Sequence, residues 1–313
     1  DLENAVWAAE RQVEFVSLSF VRTADEIRQL KSLLRNRECS ALVIAKIEKR
    51  EALDNLDEIV AATDGVMVAR GDLGVEIDVA RTPVVQKRII EACRRFWRPV
   101  IVATEMLDSM QRQRRPTRAE ATDVANAILD GADACMLSGE TAIGHYPREA
   151  VAMMNRIMLA TEEMLHSQST VGLATDHAGV HPVTAAVVQG GVAIANQLGA
   201  RLTVVATRSG ATARITAKLR GMVQTVGVSN NPATLRQLCL FWGIIPVPDA
   251  PVDDPPRLRE FIDQWGRADG LLQDGDRVVF LTGTGLVAGA HNLLVVHTVQ
   301  GDGAPHDSPG ADG

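Results

Sequence analysis

The stretch Ala41-Leu-Val-Ile-Ala-Lys-Ile-Glu48 is an apolar run that closes on a lysine and a glutamate. Its near-continuous apolar character is that of a strand buried on both faces, as in a parallel sheet. Lys46 and Glu48 are two residues apart, so on a strand both point to one face, with Cα atoms about 6.5 Å apart. Charges on a buried face must be paired or engaged by a ligand. A buried Lys–Glu salt bridge and half of an active site are both open readings of this pair.

The same pattern repeats on either side. Residues 15–21, 41–48, 65–70, 99–104 and 134–138 read as strands. Residues 24–36, 52–62, 83–96, 118–130 and 147–163 read as the helices between them, with Pro83 suited to a first helical turn. Alternation of this kind predicts a parallel α/β sheet. A doubly wound sheet and a TIM barrel share that rhythm. Polar groups close successive strands: Lys46 and Glu48, Arg70 and Asp72, Thr104 and Glu105, Ser138 and Glu140. A site assembled from several adjacent strand ends is barrel logic. A doubly wound sheet favours one switch point behind a glycine-rich turn, and no GxGxxG follows any strand here. A barrel needs about eight strands. Only five are read, so the expectation is a partial TIM (β/α)8 barrel, its second part, over residues 1–163. The opening Asp1-Leu-Glu-Asn-Ala-Val-Trp-Ala-Ala-Glu10 has no initiator methionine and reads as a helix already under way. It is expected to begin inside a larger fold.

Residues 164–180 lack periodicity and read as a linker. Residues 181–300 predict a smaller α/β domain. Its helices fall at 182–198, 211–219, 232–242 and 256–272, and its strands at 202–207, 224–228, 244–247, 277–282 and 292–299. The Gly-, Asp- and Pro-rich residues 301–313 read as a disordered tail.

The chain has 313 residues, enough for about two domains, and is 46% hydrophobic and 23% charged, an ordinary globular balance. The net charge of -7 argues against a general nucleic-acid binder. The basic run 112–118 reads as a solvated or phosphate-binding loop. No apolar run approaches the ~20 residues of a membrane span. Cys39, Cys93, Cys135 and Cys239 form neither a CxxC pair nor a zinc spacing. Reduced, mostly buried thiols in a cytoplasmic protein are expected.

Arg70-Gly-Asp-Leu-Gly74 directly follows a strand. Its glycines permit close backbone approach to a ligand, and Asp72 is a hard oxygen ligand suited to Mg²⁺. A plain β-turn is the alternative. Thr104 offers a hydroxyl to a developing oxyanion or a water, or is satisfied by local backbone. Ser138-Gly-Glu-Thr141 opens a turn with free amides, or is a simple helix cap. A lysine, two carboxylates and a hydroxyl from adjacent strand ends describe a Mg²⁺ site beside a fixed cation. Phosphoryl transfer uses that set, and so does enolate chemistry.

Lys46-Ile-Glu48, Asp64-Gly-Val-Met-Val-Ala-Arg-Gly-Asp-Leu-Gly-Val-Glu-Ile77, Gln86-Lys-Arg-Ile-Ile90, Ala103-Thr-Glu-Met-Leu-Asp-Ser-Met110, Pro116-Thr-Arg-Ala-Glu120, Asp123-Val-Ala-Asn-Ala127 and Met136-Leu-Ser-Gly-Glu-Thr-Ala142 resemble, in order and spacing, the motifs of the pyruvate kinase family. The resemblance implies phosphoryl transfer from phosphoenolpyruvate to ADP, with Mg²⁺ or Mn²⁺ and, in the family, K⁺. It implies that Lys46 stabilises the phosphoryl group in flight and the enolate. It implies that Glu48 and Asp72 hold the metal, that the backbone of Gly71 and Asp72 holds the substrate carboxylate, and that Thr104 helps deliver a proton. Arg70, Ser138 and Glu140 would form the supporting shell. A homo-oligomer, a tetramer in the family, is also implied.

Two positions depart from the family pattern: Lys49 stands where asparagine is usual, and Glu105 where glutamine is usual. The first three barrel strands and the lid domain, with a phosphate-gripping arginine and the K⁺ ligands, are not found in this sequence. The second domain resembles the family's allosteric regulatory domain, with Thr207, Ser209 and Thr212 as an effector-phosphate site or an ordinary strand–helix turn. The loop 282–290 lacks the Trp and Arg of sugar-bisphosphate-regulated members, which favours another sugar phosphate, a nucleotide or no effector. Two other functions stay open. One is an inactive or split fragment acting as a binding or assembly partner. The other is a metal-dependent aldolase or lyase on the same barrel.

Overall fold

The structure, a computed structural model, describes residues 2–166, 180–283 and 292–300. The first unit runs α1 (Leu2–Glu10), β1 (Phe15–Leu18), α2 (Ala24–Asn36), β2 (Leu42–Ile47), α3 (Arg50–Asp54), α4 (Leu56–Ala62), β3 (Gly65–Ala69), α5 (Arg70–Glu76), α6 (Thr82–Arg95), β4 (Val100–Ala103), α7 (Arg118–Asp130), β5 (Ala134–Met136), α8 (Gly139–Ala142) and α9 (Pro147–His166). Its five strands are parallel and lie in the order β1-β2-β3-β4-β5. Sequential parallel order without reversal is the arc of a barrel wall, not a doubly wound sheet. β3 is buried along its whole length, as its apolar run requires.

The second unit runs α10 (Pro182–Leu198), β6 (Leu202–Ala206), α11 (Ala211–Lys218), β7 (Thr225–Val228), α12 (Pro232–Leu238), β8 (Ile244–Val247), α13 (Pro255–Ala268), β9 (Arg277–Thr282) and β10 (Leu293–Thr298). Its sheet order is β10-β9-β6-β7-β8, with only β10 antiparallel. The order reverses at β6, which puts a topological switch point between β6 and β9. The expected linker falls largely at 167–179 and the tail at 301–313, and both lie outside the described residues, as does most of the loop 282–290.

Several expected elements are corrected. The single helix expected at 52–62 is two, broken at Asn55, whose side-chain amide donates to the Arg22 carbonyl (2.9 Å). Asparagine competes for backbone partners in this way. The strand expected to reach residue 21 stops at Leu18, and Phe20 takes φ 54°. Arg70–Gly74 is not a turn but the start of α5. The helix expected at 232–242 stops at Leu238. The one expected at 256–272 stops at Ala268, where Gly270 turns left-handed and the Leu271 and Leu272 amides both donate to the Gly266 carbonyl.

The two units pack through the N-terminal ends of the barrel strands. Lys218 of α11 pairs with Asp133, just before β5, at 2.7 Å, and both side chains are buried. Arg220 donates to the carbonyls of Gly131 (2.7 Å) and Ala132 (2.8 Å) and stacks on Trp242. Trp242 Nε1 donates to Glu162 Oε1 (2.6 Å), and Gln237 to the Ser40 carbonyl (3.0 Å). Trp97, ahead of β4, is buried among Val188, Val192, Ala213 and Leu281 of the second unit. The C-terminal ends of the strands, where the polar residues gather, are left on the opposite side. No helix among the described residues is long and apolar enough to cross a membrane. All four cysteines are free. Cys39 and Cys93 are buried, and Cys239 is exposed.

Candidate functional site

Lys46 and Glu48 meet as their spacing predicts. Lys46 Nζ lies 2.6 Å from Glu48 Oε1 and donates to Ser19 Oγ (3.1 Å) at the end of β1. Glu48 is fully buried, and its Oε2 accepts from the Phe20 amide (2.6 Å). Oε1 has the lysine charge beside it but no well-aligned hydrogen bond, and no solvent reaches it. The pair is therefore a salt bridge and also leaves one hard oxygen available.

Arg70 opens α5 at the end of β3. Its guanidinium gathers the next strand end. Nη2 donates to the Thr104 carbonyl (2.6 Å), Nε to the same oxygen (3.2 Å), and Nη1 pairs with Asp123 Oδ2 on α7 (2.6 Å). Thr104 and Glu105 both take positive φ, 71° and 53°. A β-branched residue in that region is strained and needs surrounding contacts to hold it. Arg70 supplies them. Thr104 Oγ1 accepts from the Gly71 amide (2.8 Å) and donates to the Ala103 carbonyl (2.6 Å). Its hydroxyl is thus satisfied locally.

Gly71 and Gly74 sit inside α5, where glycine costs about 1 kcal/mol relative to alanine. A Cβ at Gly71 would meet only ordinary contacts, and one at Gly74 would meet nothing. No packing among the described residues demands these glycines. Asp72 lies beside them, exposed, and forms no ion pair among the described residues.

Ser138 is the N-cap position of α8 but makes no side-chain cap. Glu140 is the brace there. Buried, it accepts from the Leu107 amide (3.0 Å) and the Ser138 amide (2.8 Å), tying the segments after β4 and β5 together. Burial pushes the Cys135 thiol on β5 up to about 12, despite Arg70 nearby, so it stays protonated.

Among the described residues no group of three or more His, Cys, Asp or Glu converges. A closed zinc-type site is thus not built. Glu48 and Asp72 follow the neighbouring strands β2 and β3 and are hard oxygen donors of the kind Mg²⁺ or Mn²⁺ takes, one or two carboxylates with water and substrate oxygens filling the sphere; Glu48 Oε1 is paired with Lys46 and would have to share it. Lys49 and Glu105, the two expected departures, are not paired with each other. Lys49 pairs with Glu76 and lies over Phe20, and Glu105 is exposed. The loop 112–118 is mostly exposed, with Arg114 stacked on Tyr146.

In the second unit, Thr207 Oγ1 accepts from the Gly210 amide (3.1 Å). Thr207 and Thr212 are buried, and only Ser209 of the three is exposed. The turn lies at the C-terminal end of β6, beside the switch point.

Sequence reading did not place Ser19, the Phe20 amide or Asp123. The first two depend on a left-handed turn after β1. The third lay inside a recognised motif with no role attached.

Residues 1–151 match the model described as pyruvate kinase, barrel domain, and residues 185–297 the model described as pyruvate kinase, alpha/beta domain. The chain is 41% identical over 302 residues to the pyruvate kinase of Sporosarcina psychrophila and 40% identical over 302 residues to that of Geobacillus stearothermophilus. It is 38% identical over 303 residues to that of Lactobacillus delbrueckii subsp. bulgaricus. Each alignment covers 96% of this chain and 51% of the relative, so the chain spans about half the length of the curated relatives it matches. With both domain models matched in order, and with relatives about 40% identical along nearly all of it, the chain belongs to the pyruvate kinase family.

Proposed function

We propose that this chain contributes the metal-binding and phosphoryl-stabilising half of a pyruvate kinase site, for transfer of a phosphoryl group from phosphoenolpyruvate to ADP in cytoplasmic glycolysis. The observation that carries the reading is the Lys46–Glu48 pair, with a buried carboxylate oxygen free of hydrogen bonds beside an ammonium. Lys46 would neutralise the equatorial oxygens of the phosphoryl group in flight and then the enolate oxygen left behind. Mg²⁺ or Mn²⁺, held by Glu48 and Asp72, would supply further neutralisation of phosphoryl oxygens and a template for them. Gly71 and Gly74 would leave room for the substrate carboxylate, and the Gly71 amide, which donates to Thr104 Oγ1, would have to exchange that partner to hold it. Thr104 would have to turn its proton from the Ala103 carbonyl toward a water to assist protonation of the enolate. Arg70, Ser138 and Glu140 hold the strand ends in place.

K⁺ would be bound by residues outside this chain. The exposed turn at Ser209, beside the switch point where α/β sheets bind ligands, is where an effector phosphate would sit. Exposed Val151, Leu159 and Met164 on α9 are the apolar residues a second copy would cover in a homo-oligomer. A coupled assay for pyruvate from phosphoenolpyruvate and ADP tests the reading, and no Mg²⁺-dependent pyruvate from the full-length enzyme would sink it.

A second reading rests on the sheet edges. β1 and β5 each have a neighbour on one side only among the described residues. Open parallel edges invite strands from elsewhere. The chain would then act by assembly with a polypeptide that supplies them. Mixing it with a separately produced N-terminal half of a relative, and assaying pyruvate, separates restored activity from an inert assembly.

A further inference from the structure

Arg214 is on α11, one turn into the helix, and faces the barrel. Its Nε is shielded from solvent and meets no hydrogen-bond partner. Its surroundings are rich in like charge. Arg98, ahead of β4, and Lys31, on α2, approach from the barrel side, and the carboxylate nearby is Asp64. That carboxylate is already engaged: Oδ1 pairs with Lys31 Nζ (2.7 Å) and Oδ2 accepts from the Val43 amide (3.0 Å). Arg98 turns two of its nitrogens to the carbonyls of Val60 (3.3 Å) and Ala61 (2.9 Å). Asp133, the next acid along this face, is committed to Lys218, Arg220 and the Val100 amide. Three cations thus share one carboxylate at the junction between the two units.

A guanidinium partly withdrawn from water beside other cations, with one carboxylate among the three, is disfavoured. Burial, and then repulsion by Arg98, pushes Arg214 down to about 10, which still leaves it charged near neutrality. A guanidinium presents a planar fork of donors that matches phosphate oxygens, and two arginines with a flanking lysine form the usual chemistry of an oxyanion cradle.

We infer that the junction between barrel and second domain holds an oxyanion site, with Arg214 and Arg98 as its ligands and Lys31 at its flank, that takes a phosphate group. The ligands come from both units, so a bound phosphate ties them together at the end of the barrel opposite the candidate active site. This goes beyond phosphoryl transfer, and its test does not depend on activity.

The probe is inorganic phosphate at constant ionic strength against chloride, read by calorimetry and by thermal unfolding of the chain. Phosphate should bind and raise the Tm. Arg214→Met and Arg98→Gln should each weaken that binding about tenfold or more, the scale of a lost charged hydrogen bond. Ser209→Ala and Lys46→Met should leave it in place. Without phosphate, Arg214→Met should melt no lower than the parent, because it removes one cation from three that share a single carboxylate. Should that variant fail to fold, Arg98→Gln reads the same site. Phosphate binding untouched by both arginine variants, binding lost instead with Ser209→Ala or Lys46→Met, or no phosphate-specific stabilisation of the parent would each overturn the inference.

Discussion

Arg70 Nη1 lies 2.6 Å from Asp123 Oδ2, while Nη2 of the same guanidinium donates to the Thr104 carbonyl at 2.6 Å. One side chain thus ties the first turn of α5 to α7 and pins the strained residue between them. The arrangement needs a planar fork with several fixed donors, which a lysine cannot supply.

Arg70→Lys is therefore expected to lower stability by about 1.5–3 kcal/mol, the range for hydrogen bonds to charged groups. In the proposed phosphoryl transfer it should also lower kcat at least tenfold, with a smaller change in KM, because Thr104 loses its register. Urea unfolding and steady-state kinetics check both. Lost stability with an unchanged kcat would reduce Arg70 to a structural clamp.

Glu48→Gln keeps the shape and an acceptor for the Phe20 amide but removes the charge beside Lys46. A neutral carboxamide is a weaker ligand for a hard divalent cation than a carboxylate. Mn²⁺ affinity, followed by electron paramagnetic resonance, should fall about tenfold or more. Equal Mn²⁺ affinity in the two proteins would place the metal elsewhere.

Glu120 is a pH-dependent element outside the site. Burial raises its pKa, but the Ser109 hydroxyl and amide and the Thr117 amide and hydroxyl donate to it, and the net shift is below the ordinary carboxylate value. A carboxylate lowered on folding contributes stability that is present above its unfolded pKa and lost as pH falls through the folded one. Glu120→Gln should melt below the parent at neutral pH, and the gap should close in acid. The Tm difference from pH 7 downward measures this; a gap that widens in acid would contradict it. Exposure of the side chain keeps the effect small.

Much of the site was legible because strand geometry is short-range. Period two put Lys46 with Glu48, and apolar runs ending in polar residues marked the strand ends that carry Asp72, Thr104 and Glu140. Elements whose limits depend on distant partners were not legible. Asn55 breaks a helix through a carbonyl on Arg22, and Phe20 turns left-handed with its amide on Glu48. Arg70 and Asp123 are 53 residues apart, so nothing local records their pairing. Arg214 is the extreme case. As a sequence position it is an ordinary helical arginine, and only the packing of α11 on the barrel sets its charge against Arg98 and leaves its Nε without a partner.

Lys218 and Asp133 are an ion pair with both side chains shielded, and Asp133 also accepts from the Val100 amide and lies 3.4 Å from Arg220. Removing one member of a buried pair costs more than the pair contributes, because the survivor keeps its desolvation penalty. Lys218→Met should lower unfolding stability by about 3 kcal/mol. Arg220 softens the loss by staying near Asp133, so Lys218→Met with Arg220→Met should lose more than the sum of the singles. The four-protein cycle in urea tests the coupling. Simple additivity would mean that the two cations serve Asp133 independently, and a Lys218→Met protein as stable as the parent would mean that the pair does not hold the two units together.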